Sequence, residues 1–228
     1  MARRIPGADV LLAVALLCSP AKADEQLGFV ARWMGIEAGV ATAVSVVKDG
    51  MRVVTVTAKN AGWLDGLYPI DDQVTSVSYV SGGSKQYVTR FREGRFLQDQ
   101  DMQFGASAVL VSRHQLVDGA WQDSQREYKA PAGVEDPVSA LYRVRDFALQ
   151  VGEQRAIQVF NGKRTLDVLA TCDRADTAGD GSVTRHVTFR SAKDGDYDGA
   201  LDLYLSAADV PILAVVQTKA GPVRIEVR

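Results

Sequence analysis

Short apolar runs that alternate with polar residues follow one another along most of this chain, and tight turns separate them. Asp49-Gly50 separates two such runs, residues 40–48 and 51–58, and Asn161-Gly162 separates another two. Asp-Gly and Asn-Gly between strand-like residues are the strongest short-range indication of a β-hairpin. The pattern therefore predicts a series of antiparallel strands joined by hairpins.

The two hairpins differ in the faces that they predict. A two-residue turn at Asn161-Gly162 places Phe160 opposite Lys163. One face of that hairpin is then apolar and gathers Ile157, Val159, Leu166, Val168, Ala170 and Cys172. The hairpin at Asp49-Gly50 carries valines on both faces, so we expect both faces to be covered or to line a cavity.

Two short helices are predicted between the strands. Asp136 can cap a helix that begins at Pro137, whose missing N–H costs nothing at the first helical position, and that ends by Asp146. Residues 60–67 predict one or two further helical turns, capped by Asn60 and ended near Gly66. Many short strands and only two short helices indicate an all-β fold with minor α content. We expect a single curled antiparallel sheet or an incomplete β-barrel, with the helices across its open side or one end.

The first 23 residues have the pattern of a secretory signal peptide. Arg3 and Arg4 precede an apolar run at residues 10–17, and Ala21-Lys22-Ala23 fits a cleavage site after Ala23. The run is too short to span a bilayer, and no later segment approaches that length. We therefore expect export to the periplasm, a single β-rich domain over residues 24–228, and no transmembrane segment in the mature chain. Cys18 follows Leu17, where a lipoprotein signal would have a small residue.

Composition narrows the choice of partners. The chain is 46% hydrophobic and 24% charged, as soluble globular proteins are, and its formal charge is −2. Loss of the signal peptide would remove more basic than acidic residues, and an acidic protein argues against nucleic acid as a partner. Cys172 would then be the single cysteine, and its place on an apolar face favours a buried, inert thiol over a reactive one.

The chemistry-bearing residues include no motif of a known catalytic class. G-x-S-x-G, H-E-x-x-H, C-x-x-C and P-loop patterns are absent from the sequence. The two histidines, His114 and His186, lie on different predicted strands. A catalytic triad assembles in space rather than along the sequence, so an uncharacterised hydrolase remains one alternative.

Two candidate sites remain. Acidic residues at alternate positions resemble a calcium-binding loop, although Leu205 stands where its bidentate Glu should be, and Asp-Gly runs are also ordinary turns. The calcium candidates are Asp194, Asp196, Asp198 and Asp202. Aromatic residues near the predicted helices and the first strand could line a pocket for an apolar ligand, or simply pack in the core. These are Trp33, Trp63, Tyr68 and Tyr142.

Several short segments, in order, resemble the bacterial exported domain-of-unknown-function family numbered 3108. They are Trp33-Met34-Gly35-Ile36 with Ala38-Gly39, Gly62-Trp63-Leu64 with Leu67-Tyr68-Pro69-Ile70-Asp71-Asp72, Arg92-Glu93-Gly94-Arg95, Asp136-Pro137 with Ser139-Ala140-Leu141-Tyr142, Val151-Gly152 with Val159-Phe160, and Leu203-Tyr204-Leu205-Ser206 with Asp209 and Pro211. The resemblance implies an exported, β-rich, envelope-facing protein whose curled sheet is similar in shape to periplasmic lipoprotein carriers. It supplies no activity that could be carried over to particular residues.

Two non-enzymatic functions stand beside the hydrolase alternative. In the first, a periplasmic protein binds a lipid or another apolar ligand against the concave face of its curled sheet. In the second, an envelope interaction or assembly factor recognises another protein through an exposed strand edge. The valine hairpin and the aromatic residues favour the first.

Overall fold

The structure, a computed structural model, describes residues 24–66, 68–177, 183–191, 201–207, 210–218 and 221–228. These residues form one 14-stranded antiparallel sheet and two short helices, α1 (Gly62–Asp65) and α2 (Pro137–Asp146). The predicted all-β class with two short helices is thereby confirmed. The strands are β1 (Glu25–Trp33), β2 (Ile36–Lys48), β3 (Met51–Asn60), β4 (Asp71–Tyr79), β5 (Ser84–Glu93), β6 (Phe96–Phe104), β7 (Ala108–Val117), β8 (Ala120–Lys129), β9 (Gln154–Phe160), β10 (Thr165–Thr177), β11 (Val183–Ser191), β12 (Leu201–Ser206), β13 (Pro211–Thr218) and β14 (Gly221–Val227).

The order of the strands divides the sheet into two meanders. Strands β1 to β8 lie side by side in sequence order, and strands β9 to β14 do the same. The meanders join where the first strand pairs with the last, with Phe29 opposite Val227 and Trp33 opposite Val223. The two strands at the edges of the sheet are therefore β8 and β9, which the segment containing α2 connects.

The sheet curls until its two edge strands touch at one place. Phe160, the last residue of β9, packs against Tyr128 of β8 with ring centroids 5.5 Å apart and against Phe104 of β6 at 6.3 Å. Arg113 of β7 donates a hydrogen bond to the carbonyl oxygen of Gly162. Among the described residues no ladder of backbone hydrogen bonds joins β8 to β9, so the barrel is incomplete, as the sequence predicts.

The concave face of the sheet forms one apolar core. Buried and exposed side chains alternate along the strands, as in β3, where Arg52, Val54, Val56 and Ala58 are buried and the residues between them are not. Full burial of a large apolar side chain contributes about 1.5–3 kcal/mol. The residues of the core that are almost completely buried include Phe29, Met102, Phe160, Leu203 and Ile225.

The turn at Asp49-Gly50 has the predicted form. Lys48 lies opposite Met51, and the φ angles of Asp49 and Gly50 are +52° and +74°. Positive φ at both central residues defines the type I′ turn, whose twist matches that of the flanking strands. Glycine adopts such a φ without strain, which explains why Gly50 occupies the second position.

The predicted register of the β9–β10 hairpin is wrong by two positions. Phe160 lies opposite Thr165 rather than Lys163, because the loop has four residues instead of two. The Asn161 side chain stabilises this longer loop by accepting hydrogen bonds from the amides of Lys163 and Arg164, both at 3.0 Å. Since side chains alternate with a period of two, the error leaves the predicted apolar face unchanged.

Helix α2 lies inside the curled sheet, and seven of its ten residues are buried. The predicted cap is confirmed, because the Asp136 carboxylate accepts hydrogen bonds from the amides of Val138 and Ser139 at 2.8 and 2.9 Å. The same carboxylate accepts hydrogen bonds from the hydroxyls of Ser76 and Ser84 at 2.8 and 2.6 Å. One fully buried acid thus fixes the start of the helix to β4 and β5.

The first helix is shorter than predicted and its cap is different. Its N-cap is Ala61, which makes no side-chain capping bond, while the Asn60 side chain accepts a hydrogen bond from the Ile70 amide at 2.7 Å. Asn60 therefore closes the segment around α1 instead of capping it. No helix within the described ranges is long and apolar enough to cross a membrane.

The expectation for the valine hairpin is wrong on its outer face. Val44, Val46 and Val53 point away from the core and are 36–40% exposed. Valine suits a strand because its branched side chain packs against cross-strand neighbours, and this preference does not require complete burial. The pattern therefore identified the strands correctly but overstated how many faces are covered.

Candidate functional site

An apolar surface covers the end of the sheet where β1 turns into β2. Met34 and Gly35 form the turn with φ angles of +52° and +83°, and Met34 is 77% exposed. Ile36, Trp63 and Trp33 nearby are also exposed. We call these four apolar residues, Trp33, Met34, Ile36 and Trp63, the tryptophan end. A non-glycine residue at positive φ is uncommon, and clustered exposed apolar residues mark binding surfaces.

Helix α1 packs across the start of β2 and contributes to this end. The Trp63 indole donates a hydrogen bond to the carbonyl oxygen of Glu37 at 2.9 Å, and the Ala61 amide donates one to Ala38 at the same distance. The Tyr68 ring lies against Gly94, where an added Cβ would be only 2.7 Å from the ring. The structure therefore brings three of the four predicted aromatic residues, Trp33, Trp63 and Tyr68, to one end of the sheet.

A small apolar cavity of about 110 Å³ lies between α1 and the adjoining strands. Gly39 permits this arrangement, because a Cβ on it would lie 2.6 Å from the carbonyl oxygen of Lys59 on the neighbouring strand. An apolar cavity of about 150 Å³ accepts benzene, so this one admits a few carbon atoms. Its lining includes Ala31, Trp33, Ala41, Ala58, Leu64, Ile70 and Val223, with one acid, Asp72.

Asp72 belongs to a pair of buried acids that sequence analysis missed. Asp72 is 1% exposed and Glu93 is completely buried, and the two carboxyl groups are near enough for Glu93 to affect the pKa of Asp72. Asp72 also accepts a hydrogen bond from the Arg92 amide at 2.7 Å. The period-two pattern of β5, which buries Tyr87 and Phe91, extends to Glu93, so an acid on the apolar face was the available signal.

The pair should make stability depend on pH. Burial is the main cause that raises the pKa of Asp72 above its usual range, and repulsion from Asp71 adds to it; hydrogen bonds from the Arg92 amide and Glu93 and the charge of Arg92 act in the opposite direction. A carboxyl group with a raised folded-state pKa binds its proton more tightly when folded than when unfolded. The free energy of unfolding therefore falls as the pH rises from about 3.8 through the folded-state pKa.

We expect the Asp72→Asn variant to lack this fall while keeping the acceptor for the Arg92 amide. The difference in free energy of unfolding between Asp72→Asn and wild type should therefore be more in favour of the variant at pH 7 than at pH 4. The change should be about 1.4 kcal/mol for each unit by which the pKa of Asp72 is raised. Urea unfolding between these pH values measures the difference. The control is Asp49→Asn, at an exposed acid in the turn between β2 and β3, and its stability should change with pH as that of wild type does. Parallel curves for Asp72→Asn and wild type would contradict the prediction.

The fourth predicted aromatic residue, Tyr142, does not reach this end. It lies on α2, is 2% exposed, and stands between the guanidinium groups of Arg52 and Arg145, which are 4.8 and 5.1 Å from its ring centroid. Arg52 also forms an ion pair with Asp146 at 3.3 Å. A ring between two cations stabilises their burial through cation–π attraction. The geometry thus gives Tyr142 a packing role in the core.

Each histidine contacts an acid on the outer face of the sheet. His114 Nδ1 is 2.7 Å from Asp123, and its ring stacks on Trp121 with centroids 4.4 Å apart. His186 Nδ1 is 2.7 Å from Asp173, on a bulge of β10. Among the described residues, no hydroxyl or thiol forms a hydrogen bond with either ring. The arrangement that a hydrolase of the triad type requires is therefore not formed in this part of the chain.

The calcium candidates Asp194, Asp196 and Asp198 lie outside the described residues. Asp202 is described, and its carboxylate lies 3.4 Å from His186 Nε2 and 3.3 Å from the Arg190 guanidinium. Cys172 is completely buried, as predicted, and burial raises the pKa of its thiol. A raised pKa keeps the sulfur protonated and unreactive at neutral pH.

Comparison with known proteins places this architecture among proteins of unknown function. The crystal structure of a β-barrel-like protein of the DUF1849 domain of unknown function from Brucella abortus is similar, with a TM-score of 0.61 at 10% sequence identity, over 90% of this chain and 96% of that one. At that identity the likeness concerns the fold alone. No curated protein matches the chain. A family model described as "Protein of unknown function (DUF3108)" matches residues 29–228, so the chain belongs to the DUF3108 family.

Proposed function

We propose that this protein is a non-enzymatic, exported protein that binds the end of an apolar ligand, such as a lipid acyl chain, at the tryptophan end. The observation that carries the proposal is the apolar cavity of about 110 Å³ beside Trp33, Met34, Ile36 and Trp63, which are exposed. A few carbons of the chain would enter the cavity. The remainder would lie along the exposed apolar side chains, which gain by removal from water.

The concave face of the sheet is a less suitable place for the whole ligand. Helix α2 and the core side chains occupy it, and ligand sites for drug-sized molecules usually measure about 300–1,000 Å³. The cavity beside α1 is also smaller than a site for a drug-sized ligand, so it can hold only one end of a long ligand. A ligand held by one end, with its other end free for transfer to a membrane or another protein, is consistent with these dimensions.

The proposed location is the periplasm. The pattern of residues 1–23 as a cleavable signal peptide supports it, as does the resemblance of the sequence to exported proteins. Acyl chains are abundant at the two membranes that bound this compartment. Detection of mature protein beginning at Asp24 in a periplasmic extract would test the location, and protein retained in the cytoplasm with residues 1–23 attached would contradict it.

Filling the cavity should weaken ligand binding without unfolding the protein. We expect wild type to bind cis-parinaric acid saturably, and Ala58→Leu to bind it about tenfold more weakly or worse, because each excluded methylene is worth about 0.8 kcal/mol. Ala58 lines the cavity from β3. The matched control is Val53→Leu, on the exposed face of the same strand. Probe fluorescence gives the affinity, and native mass spectrometry with palmitic acid gives the stoichiometry.

Trp33 offers a second readout. Trp33 lines the cavity, so energy transfer from tryptophan to the bound probe should fall in the Trp33→Phe variant. It should remain unchanged in the Trp121→Phe variant, because Trp121 lies on β8, away from the cavity. The proposal fails if the probe does not saturate, or if a folded Ala58→Leu variant binds as well as wild type.

A further inference from the structure

Strand β8 is an edge with free space beside most of its length. Among the described strands it pairs only with β7, and its residues from Ala120 to Glu127 are all exposed. Phe160, at the end of β9, meets Tyr128 near the end of β8. The preceding part of β8 therefore extends past the end of β9.

The turn before β8 determines which of its backbone groups are unpaired. Asp118 and Gly119 have φ angles of +51° and +83°, and Val117 lies opposite Ala120, so the hairpin has a two-residue turn. In such a hairpin the residues that flank the turn exchange both backbone hydrogen bonds, and bonded pairs then alternate along the ladder. The register runs without a bulge through ten pairs.

This alternation determines, for each residue of β8, whether its backbone N–H and C=O groups face β7 or the free edge. Even-numbered residues bond to β7, and the Ala130 amide, which donates to Ser107 at 3.1 Å, continues that series. Odd-numbered residues direct their N–H and C=O groups away from β7. No backbone hydrogen bond from a described residue reaches them. These residues are Trp121, Asp123, Gln125, Glu127 and Lys129.

We propose that β8 is a docking strand that pairs with an extended segment of another protein carrying basic residues at alternate positions. The free N–H and C=O groups supply the affinity of strand addition, and the outward side chains supply its selectivity. The proposal concerns an edge strand that lies six strands away from β2 in the strand order, and it does not depend on the apolar cavity.

Charge determines the kind of segment that fits. The residues with free backbone groups also direct their side chains outward, where Asp123 and Glu127 provide two negative charges four residues apart. Asp99 and Asp101 lie in the same groove on the outer face as Asp123. The volume of this groove is about 530 Å³. Alternate side chains of an added strand face one side. Lysine or arginine at alternate positions would therefore meet this acidic surface, and Trp121 adds a flat apolar contact.

A second copy of this chain fits the edge less well. Two β8 strands that pair antiparallel along their full free edge would centre on Gln125. That register places Asp123 of each copy opposite Glu127 of the other. Like charges directly opposite each other destabilise a strand pair.

The first experiment measures binding of a synthetic peptide. The probe is a ten-residue, terminally blocked peptide that alternates lysine with threonine and valine. We expect saturable binding by fluorescence anisotropy at low ionic strength, and binding about tenfold weaker or worse when glutamate replaces lysine, because like charges then face each other. The double variant Asp123→Lys with Glu127→Lys should reverse that preference.

Proline substitutions in β8 test whether its free backbone edge binds the peptide. Gln125→Pro removes a free N–H without breaking the ladder to β7, so the variant should fold and bind the peptide about fivefold more weakly or worse than Gln125→Ala. Ser124→Pro removes an N–H bonded to β7 and should lower the melting temperature. The Ala58→Leu variant should bind the peptide normally, which separates this proposal from the apolar ligand.

Amide hydrogen exchange provides a readout that requires no variant. In the free protein, the amides of Gln122, Ser124 and Arg126 should exchange slowly, and those of Asp123, Gln125 and Glu127 rapidly. Added peptide should slow the second group. The proposal is overturned by absent or non-saturating binding, by equal binding of the glutamate peptide, or by unchanged exchange. A dimer that Gln125→Pro dissociates would overturn it in favour of self-pairing.

Discussion

Replacement of Asp136 by alanine is expected to lower the free energy of unfolding by about 3–5 kcal/mol. The Asp136 carboxylate is completely buried and accepts four hydrogen bonds, two from backbone amides at the start of α2 and two from the hydroxyls of Ser76 and Ser84. Alanine would leave all four donors buried without this acceptor. Each unsatisfied donor costs more than the hydrogen bond itself contributes.

Two controls separate the hydrogen bonds from the loss of a side chain. Asp136→Asn keeps one carbonyl oxygen as acceptor and should cost about half as much as alanine. Asp71→Ala, at an exposed acid that pairs with Lys59 at 3.8 Å, should change stability by less than about 0.5 kcal/mol. Urea unfolding followed by far-ultraviolet circular dichroism measures all three. A loss below 1 kcal/mol in Asp136→Ala, roughly that of an ordinary cap, would contradict the role given to the buried network.

Replacement of Phe160 by alanine should cost about 3–5 kcal/mol and open the contact between the edge strands. Phe160 is completely buried and is the residue of β9 whose ring meets both Phe104 and Tyr128. Its removal leaves a cavity where no backbone ladder holds β8 and β9 together. We therefore expect two effects, a lower free energy of unfolding and faster cleavage by a protease near the loop at residues 161–164.

The exposed Trp121 is the control for Phe160. Trp121→Ala removes a large aromatic side chain from β8, the other edge strand, but that side chain is 46% exposed. It should cost less than about 1 kcal/mol and leave the protease pattern unchanged. A Phe160→Ala variant that loses stability without faster cleavage at the loop would show that Phe160 packs the core but does not hold the edges together.

Most of the secondary structure could be predicted from the local chemistry of the sequence. Asp49-Gly50 defined a hairpin because a type I′ turn requires positive φ at both positions, and Asp136-Pro137 defined a helix start because few other pairs suit both positions so well. The loop at Asn161-Gly162 shows where local chemistry is insufficient. The same dipeptide permits a two-residue or a four-residue loop, and the Asn161 side chain stabilises the longer one.

The candidate site was less accessible to sequence reasoning. Trp33 and Trp63 were recognised as a possible pocket lining, but nothing in their spacing excluded Tyr142, which the structure places between Arg52 and Arg145. Which aromatic residues share a cavity depends on pairings between distant strands. The acid pair formed by Asp72 and Glu93 depends on the register of β4 and β5 in the same way.

The edge strands could not be identified before the structure, because the sequence contains no local signal that β1 pairs with β14. That single long-range pairing determines that β8 and β9, rather than the terminal strands, are the edges. The free edge of β8 and the contact made by Phe160 both follow from it. The energy that selects it is distributed over the two apolar faces that meet there, which is a property of the folded sheet rather than of any one segment.

The pairing of the first strand with the last also means that the native chain is a circular permutation of a simple up-and-down meander. Read from β9 through β14 and on from β1 to β8, every strand is followed by its neighbour in the sheet. The Arg228 amide donates a hydrogen bond to Gly28 at 3.0 Å, so Arg228 lies beside the first strand. A permuted gene that links Arg228 to Asp24 through a short peptide, with new termini between β8 and α2, would encode the same sheet with only sequential hairpins.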